Sequence, residues 1–288
     1  MANCTMCPRA CKIDREISAG YCGSGDKIKI GKIMLHEWEE PILANKNSGA
    51  IFFSNCPLKC IFCQNYEISQ LGNGKEISVL ELVEVFKDLE RRGAENIDLV
   101  SPTQYTNQIV EALKIYKPNI PVVWNSNGYE TTDNIEKLRG LVDIFLPDFK
   151  YVSSKLSTEY SKANNYFDFA SKALLKYREL QPTDVYEGGK LVKGLIVRHL
   201  VLPNNYLNTK TVLKWIKDNL GTDTIISIMG QYIPYYLAKE YKDLSRPLNQ
   251  LEYDKVKRLV LDMGFENGFL QELSSADECY VPDFEEIF

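Results

Sequence analysis

The stretch IFFSNCPLKCIFCQN, from Ile51 to Asn65, decides the fold. It begins with a run of bulky apolar residues, which predicts a short buried strand. The strand leads directly into three cysteines with the spacing Cys56-x3-Cys60-x2-Cys63. The sequence therefore predicts a β-strand that delivers three thiolates into a single loop.

Three cysteines this close have the spacing of metal ligands, because a cuboidal iron–sulfur cluster needs thiolates that converge on a small sphere. A structural zinc ion needs a fourth ligand, and no Cys or His follows Cys63 before His199. A [4Fe–4S] cluster held at three corners therefore fits best, with one iron left open as in catalytic metal sites. The alternatives are a structural zinc completed by a distant residue, or reduced cysteines in the core.

The motif Cys-x3-Cys-x-Phe-Cys, with Phe62 before the third cysteine and Asn65 shortly after it, resembles the cluster loop of radical S-adenosylmethionine (SAM) enzymes. The resemblance is to those similar to pyruvate formate-lyase activating enzyme. In that family the amino and carboxylate groups of SAM chelate the open iron. An electron from the cluster cleaves the sulfonium, and the 5'-deoxyadenosyl radical abstracts hydrogen from the substrate. The resemblance implies SAM and a [4Fe–4S] cluster as cofactors and a reduced flavodoxin or ferredoxin as electron donor.

Composition excludes several other classes of protein. The chain has 288 residues, with 34 basic against 39 acidic side chains and no dense basic run, so a nucleic-acid partner is not expected. No stretch reaches the roughly 18 apolar residues of a membrane span, and the first residues lack the pattern of a signal peptide. We therefore expect a cytoplasmic protein, without nucleic-acid or membrane partners, and a monomer.

Four further cysteines lie near the start of the chain, at Cys4, Cys7, Cys11 and Cys22. Close pairs joined by a turn with glycine suit a four-coordinate metal site, as zinc or iron requires. A structural zinc or rubredoxin-like iron is favoured over a second [4Fe–4S] cluster, and both remain open. We expect residues 1–35 to form this metal-binding segment and residues 36–288 to form the catalytic domain. Cys279, distant in sequence, is expected to be a free thiol.

The stretch from His36 to Pro41 places a histidine beside Glu37, Glu39 and Glu40. The favoured interpretation is a charged turn closed by the proline. Metal binding or proton transfer is the alternative. Residues 27–35, which alternate polar and apolar, predict an exposed strand or an extended connector.

From Ile51 onward the hydrophobic periodicity predicts six strand–helix units. The later strands are predicted at residues 96–101, 121–126, 142–146, 195–202 and 224–229, and the helices at residues 78–92, 105–116, 131–139, 155–180, 211–219 and 253–263. Strict alternation specifies a parallel sheet covered by helices, hence an α/β class. Periodicity does not separate an open sheet from a barrel. The resemblance implies a partial (β/α)6 barrel of the TIM type, with its site at the carboxyl ends of the strands.

Polar residues follow the second and third predicted strands. Ser101 and Thr103 stand where the family often has Gly-Gly-Glu, which binds the SAM amino group; their hydroxyls can accept hydrogen bonds from an ammonium. Ser126 and Asn127 resemble the Thr-Asn-Gly turn of the family, with Ser in place of Thr. By resemblance these four residues are candidate SAM contacts.

Charged residues follow or interrupt the next two strands. Asp148 and Lys150 match the Asp-x-Lys motif of the glycyl-radical activators, and residues two apart in a strand face the same side. A surface ion pair is the alternative. Arg198 lies in an otherwise apolar strand and so requires an anionic partner, which the resemblance identifies as the SAM carboxylate. A buried Arg–Asp pair is the alternative for Arg198. His199, on the other face, is expected to be structural.

By resemblance, the predicted activity is hydrogen abstraction from a glycine Cα of a partner protein, through a mouth wide enough for a polypeptide loop. The alternative keeps the cofactor chemistry and changes the substrate to a peptide or a small molecule. A third hypothesis is an electron-transfer protein that uses both cysteine groups as redox centres and binds no SAM.

Overall fold

The computed structural model describes residues 4–36, 47–271, 273 and 284. Within these residues ten strands form: β1 (Ile28–His36), β2 (Ser48–Phe53), β3 (Lys75–Ile77), β4 (Asn96–Val100), β5 (Val122–Asn125), β6 (Ile144–Phe145), β7 (Val185–Glu187), β8 (Lys190–Leu200), β9 (Ile225–Met229) and β10 (Gly268–Leu270). The α-helices of the same residues are α1 (Tyr66–Ser69), α2 (Val79–Arg91), α3 (Thr106–Ile115), α4 (Thr132–Glu136), α5 (Ser154–Ser161), α6 (Tyr166–Leu180), α7 (Tyr206–Leu220) and α8 (Gln250–Asp262).

The strands form one mostly parallel sheet in the order β10-β9-β8-β6-β5-β4-β2-β1-β3, and β7 pairs with β8 beside it. All pairings from β10 to β2 along this path are parallel, and each of the six predicted strands lies in that part. The predicted α/β class is confirmed, with the sheet of a partial TIM-type barrel.

The edge beyond β2 differs from the sequence prediction. β1 pairs antiparallel with β2, and β3 pairs antiparallel with β1. The strand predicted as one alternative for residues 27–35 is therefore present, but the expectation that it is exposed was wrong, because Ile28 and Ile30 are at most 1% exposed. The apolar half of the alternating pattern packs into the core. The predicted division between residues 35 and 36 falls inside β1 and stays a prediction.

Local signals explain why the helices begin where they do. The Ser78 hydroxyl accepts a hydrogen bond from the Glu81 amide at 3.2 Å, and the Glu81 carboxylate accepts one from the Ser78 amide at 2.7 Å. This capping box begins α2, whose apolar face is buried at Leu82, Phe86 and Leu89. Asn249 and Glu252 form the same arrangement at α8.

The long helix predicted at residues 155–180 is two helices. α5 ends at Lys162, which has a left-handed backbone with φ of 53°, and α6 begins at Tyr166. The polar residues Asn164 and Asn165 between them favour a break over a continuous helix. As a result, the last turn of α5 lies beside the cluster loop.

The carboxyl ends of β2, β4, β5, β6, β8 and β9 meet around one cavity of about 160 Å³. Residues at the ends of these strands or shortly after them line it. No helix in the described part of the chain has both the length and the apolar character needed to cross a membrane.

Candidate active site

The cluster loop, residues 54–65, brings Cys56, Cys60 and Cys63 to the lining of this cavity. Cys56 and Cys60 are each 8% exposed. The loop is fixed to the end of α5 by two backbone hydrogen bonds. The Lys59 amide donates to the Ser161 carbonyl at 3.2 Å, and the Ile61 amide donates to the Tyr160 carbonyl at 2.9 Å. The three thiols are therefore held on a supported loop at the carboxyl edge of the sheet.

Each of the three sulfur atoms has a hydrogen-bond partner. Asn127 Nδ2 donates to Cys56 Sγ at 3.3 Å. Ser161 Oγ lies 3.0 Å from Cys60 Sγ, and Ser69 Oγ lies 3.2 Å from Cys63 Sγ. Such donors stabilise thiolates and tune a bound cluster.

Burial keeps these thiols neutral when no metal is bound. Desolvation raises the pKa of Cys56 to about 12 and of Cys63 to about 11, and it also raises the pKa of Cys60. A bound cation reverses this preference, because a coordinating thiol is deprotonated by the metal.

The three thiols line one cavity, and each has a hydrogen-bond partner. Among the described residues, no group of three His, Cys, Asp or Glu side chains is arranged to hold a single metal ion.

An ionic triad of Asp148, Lys150 and Arg198 lines the same cavity. Lys150 Nζ lies 2.5 Å from Asp148 Oδ2, and Arg198 Nε lies 3.3 Å from Asp148 Oδ1. Burial alone would raise the pKa of Asp148, but the two cations outweigh burial and lower it. Two cations therefore contact one carboxylate at the cavity. A guanidinium and an ammonium are the groups that bind anionic ligand atoms most strongly.

Most of the predicted SAM contacts lie together at the cavity. Those in its lining are Phe62, Asn65, Ser101, Ser126, Asn127, Asp148, Lys150 and Arg198. Ser101 has a left-handed backbone with φ of 57°, a strained conformation that is typical of functional sites. Met229, which ends β9, and Gln231 and Tyr232, which follow it, are in the lining as well.

The predicted contact Thr103 is not brought to this cavity. Its side chain is fully buried, and its hydroxyl donates to Glu130 Oε1 at 2.9 Å. The short 3-10 turn at Thr103–Tyr105 directs the hydroxyl into the protein. The structure therefore gives Thr103 a partner within the fold and offers no support for a SAM contact.

Sequence reasoning did not identify Glu130, which is 1% exposed behind the cavity. It accepts hydrogen bonds from Thr103, from Trp124 Nε1 at 3.2 Å and from the Tyr177 hydroxyl. The Tyr177 hydroxyl also lies 3.2 Å from Ser126 Oγ, which lines the cavity. Desolvation raises the pKa of Glu130 to about 7. A lone glutamate after a glycine turn gives no signal in sequence that separates it from a surface residue.

The four N-terminal cysteines lie in one segment, residues 4–26, which we call the knuckle. Backbone hydrogen bonds join Cys4 to Lys12 and Ile13, at 3.0 and 2.9 Å. A Cβ at Gly20 would lie 3.6 Å from Cys22 Sγ and 3.7 Å from Cys11 Sγ, so both sulfurs face one space that the glycine leaves open. The sulfurs of Cys11 and Cys22 therefore lie on the same side of the segment.

Other candidates are placed as follows. His199 is buried; its ring nitrogens lie 2.7 Å from the Phe149 carbonyl and 3.0 Å from Thr209 Oγ1, as expected of a structural histidine. His36 ends β1. The predictions for Glu37, Glu39, Glu40 and Cys279 lie outside the described residues.

The family is decided by comparison with known proteins. A model of the radical SAM superfamily matches residues 50–195, from β2 into β8. The chain belongs to the radical SAM superfamily. Membership implies a [4Fe–4S] cluster and SAM as cofactors. Uncharacterized protein MJ0674 of Methanocaldococcus jannaschii is 33% identical over 268 residues, which cover 90% of this chain and 74% of that protein.

Two crystal structures of Streptococcus suis SuiB have a similar fold. The structure bound to SAM has a TM-score of 0.54 at 14% identity, covering 77% of this chain and 49% of SuiB. The other has a TM-score of 0.55 at 15% identity, covering 77% of this chain and 48% of SuiB. The chain spans about half the length of SuiB. At this identity the likeness shows the fold alone.

Proposed function

We propose that the chain is a radical SAM enzyme that holds a [4Fe–4S] cluster on Cys56, Cys60 and Cys63 and abstracts hydrogen from a peptide or a small molecule. The observation that carries this proposal is the meeting of the three thiols and the ionic triad in one cavity, within the region that matches the superfamily. When bound, the cluster and SAM supply a one-electron cleavage of the sulfonium and a 5'-deoxyadenosyl radical.

The residues of the chain supply position and charge. In the proposed complex, Arg198 binds the carboxylate of SAM, because a guanidinium at the cavity can donate two parallel hydrogen bonds to a carboxylate. Ser101, Ser126 and Asn65 offer hydroxyl and amide groups to the remaining polar atoms. The cavity is lined by the strand ends and the loops that follow them, which hold these groups in fixed positions around it.

The loop after β9 covers part of the cavity and bears on the substrate. The Leu237 amide donates to the Ile61 carbonyl at 2.9 Å, and Tyr232 packs edge-on against Phe62 with ring centres 6.1 Å apart. This loop therefore packs against the cluster loop, and its side chains help to define which substrate the cavity accepts.

A second candidate is the activation of a glycyl-radical enzyme, by abstraction of hydrogen from a glycine Cα. The observation that favours it is the Asp148-x-Lys150 pair, which matches the motif of the glycyl-radical activators. The pair lines the cavity with its charges in contact at 2.5 Å.

The two candidates are separated by one anaerobic experiment. The reconstituted protein is reduced and mixed with SAM and an extract of its source organism. We then measure 5'-deoxyadenosine and the electron paramagnetic resonance (EPR) spectrum. Formation of 5'-deoxyadenosine without a glycyl doublet supports a peptide or small-molecule substrate, whereas a doublet that requires both protein and SAM supports the activator. Absence of 5'-deoxyadenosine under all conditions would reject both.

A further inference from the structure

The knuckle contacts the cluster loop on both sides of Cys56. The first contact runs through Arg9, which lies two residues after Cys7. Arg9 Nε donates to the Pro57 carbonyl at 2.9 Å. Its guanidinium lies 4.0 Å from the centre of the Tyr21 ring, within the knuckle. One hydrogen bond therefore joins the residues next to Cys7 to the residue next to Cys56.

The second contact runs through the buried hydroxyl of Tyr105. Ser24 Oγ donates to this hydroxyl at 3.2 Å, and Asn55 Nδ2 donates to it at 3.1 Å. Ser24 lies two residues after Cys22, and Asn55 directly precedes Cys56. The Gly23 backbone also lies close to the Asn55 side chain, since a Cβ at Gly23 would lie 2.9 Å from Asn55 Oδ1. Two independent routes thus connect the two cysteine groups.

The cysteines of the two groups differ in exposure. In the knuckle, Cys4 and Cys11 are partly exposed and the other two cysteines are buried, whereas in the cluster loop only Cys63 is partly exposed. A partner protein that delivers an electron can therefore approach two partly exposed thiols at the knuckle.

The knuckle has features of an iron–sulfur site. The Tyr21 amide donates to Cys11 Sγ at 3.3 Å, and the Ser24 amide donates to Cys22 Sγ at 3.4 Å. Hydrogen bonds to cysteine sulfurs are one of the factors that set the potential of a cluster. Zinc has no redox chemistry, so a site that passes electrons to the cluster loop must hold iron.

We infer that the knuckle holds a second iron–sulfur cluster on Cys4, Cys7, Cys11 and Cys22, which passes single electrons to the cluster on Cys56, Cys60 and Cys63. The inference rests on the proposed function. A one-electron donor of the ferredoxin or flavodoxin class is oxidised by one electron and the knuckle cluster is reduced by one. The knuckle cluster is then reoxidised as the second cluster is reduced, and no bond forms or breaks in either transfer.

The first test is the metal content and spectrum of the anaerobically reconstituted wild-type protein. Two four-iron clusters require about eight iron atoms per chain and give two distinct EPR signals on stepwise reduction. About four iron atoms with one zinc, or a single signal, would overturn the inference. Addition of SAM should change only one of the two signals. A single cluster that still responds to SAM would leave the proposed function intact, so the two failures are distinguishable.

The second test measures, by rapid mixing, the rate at which a reduced ferredoxin reduces the cluster that responds to SAM. Cys22→Ala should remove one signal and slow this reduction at least about tenfold, and an equal rate would contradict the relay. A double variant, Arg9→Leu with Tyr105→Phe, keeps every cysteine and interrupts both routes. It should keep both signals and slow the transfer. The matched control is Tyr253→Phe, which removes a buried hydroxyl that donates to the Ile228 carbonyl. In this variant the cluster that responds to SAM should be reduced at the wild-type rate.

Discussion

Arg198 Nε lies 3.3 Å from Asp148 Oδ1, and the same two residues form a parallel backbone bridge beyond the end of β6. The sheet therefore aligns residues that are 50 positions apart in the chain. The bridge fixes the guanidinium at the cavity, where Lys150 holds the other carboxylate oxygen. This pairing matches the alternative of a buried Arg–Asp pair, and at the same time it presents the arginine to the cavity.

Arg198→Lys tests whether the guanidinium binds SAM. Lysine keeps the charge but lacks the planar fork that binds a carboxylate through two hydrogen bonds. We expect the Kd for SAM to rise about tenfold, which corresponds to about 1.4 kcal/mol. Anaerobic calorimetric titration with SAM measures it.

The matched control for this change is Arg178→Lys. Arg178 forms a two-point ion pair with Asp184, at 3.0 and 3.2 Å, and neither residue lines the cavity. This variant should bind SAM as the wild type does. Equal affinities for SAM in both variants would exclude the role given to Arg198.

Ser161→Ala tests the hydrogen bond to Cys60. The hydroxyl lies 3.0 Å from the sulfur, and a donor to a thiolate stabilises the more negative, reduced cluster. Loss of this hydrogen bond should lower the midpoint potential of the cluster. The change is up to about 59 mV if the equilibrium between the oxidised and reduced cluster changes tenfold. A redox titration monitored by EPR gives this value.

Ser157→Ala is the control, since Ser157 is equally buried on the same helix but bonds to the Ser154 carbonyl. Its midpoint potential should equal that of the wild type. A shift of the same size in both serine variants would indicate a general effect of α5 rather than the bond to sulfur.

Glu130→Gln tests the buried carboxyl behind the cavity. Its pKa is raised from 4.5 to about 7, so the folded state binds this proton more tightly than the unfolded state. The stabilisation is complete below about pH 4.5 and is lost as the pH rises through about 7, a change on the order of 3 kcal/mol.

The Glu130→Gln variant should not lose stability as the pH rises through about 7. Urea unfolding of both proteins at several pH values measures the difference in their free energies of unfolding. Burial lowers the pKa of His199 to about 4, which makes the folded state less stable as the pH falls below about 6.5. The contribution of His199 is the same in the wild type and in Glu130→Gln, so it cancels when the two pH profiles are compared. Parallel pH profiles of wild type and Glu130→Gln would show that Glu130 does not titrate in this range.

Local features were predictable from the sequence. The spacing of Cys56, Cys60 and Cys63 specified one loop, and the two-residue spacing of Asp148 and Lys150 specified one face of the chain. Alternating strands and helices specified the parallel sheet. Each of these depends on residues close together in the chain, which hydrophobic and chemical patterns describe well.

What sequence could not supply were contacts between distant segments. The pairing of Arg198 with Asp148 requires the register of two strands, and the Glu130 network joins residues 103, 124 and 177 to it. Thr103 was assigned by its position after a strand, but a short turn directs its hydroxyl away from the cavity. Such directions depend on backbone angles that a pattern of residue types does not encode.

The most direct test of the central claim is the formation of 5'-deoxyadenosine from SAM by the reduced, cluster-reconstituted protein, compared with Cys60→Ala. If the three thiols hold the cluster that cleaves SAM, the wild type forms 5'-deoxyadenosine and the variant forms none, with less iron bound per chain. If Cys60→Ala forms 5'-deoxyadenosine at the wild-type rate, the assignment of the cluster to Cys56, Cys60 and Cys63 is wrong.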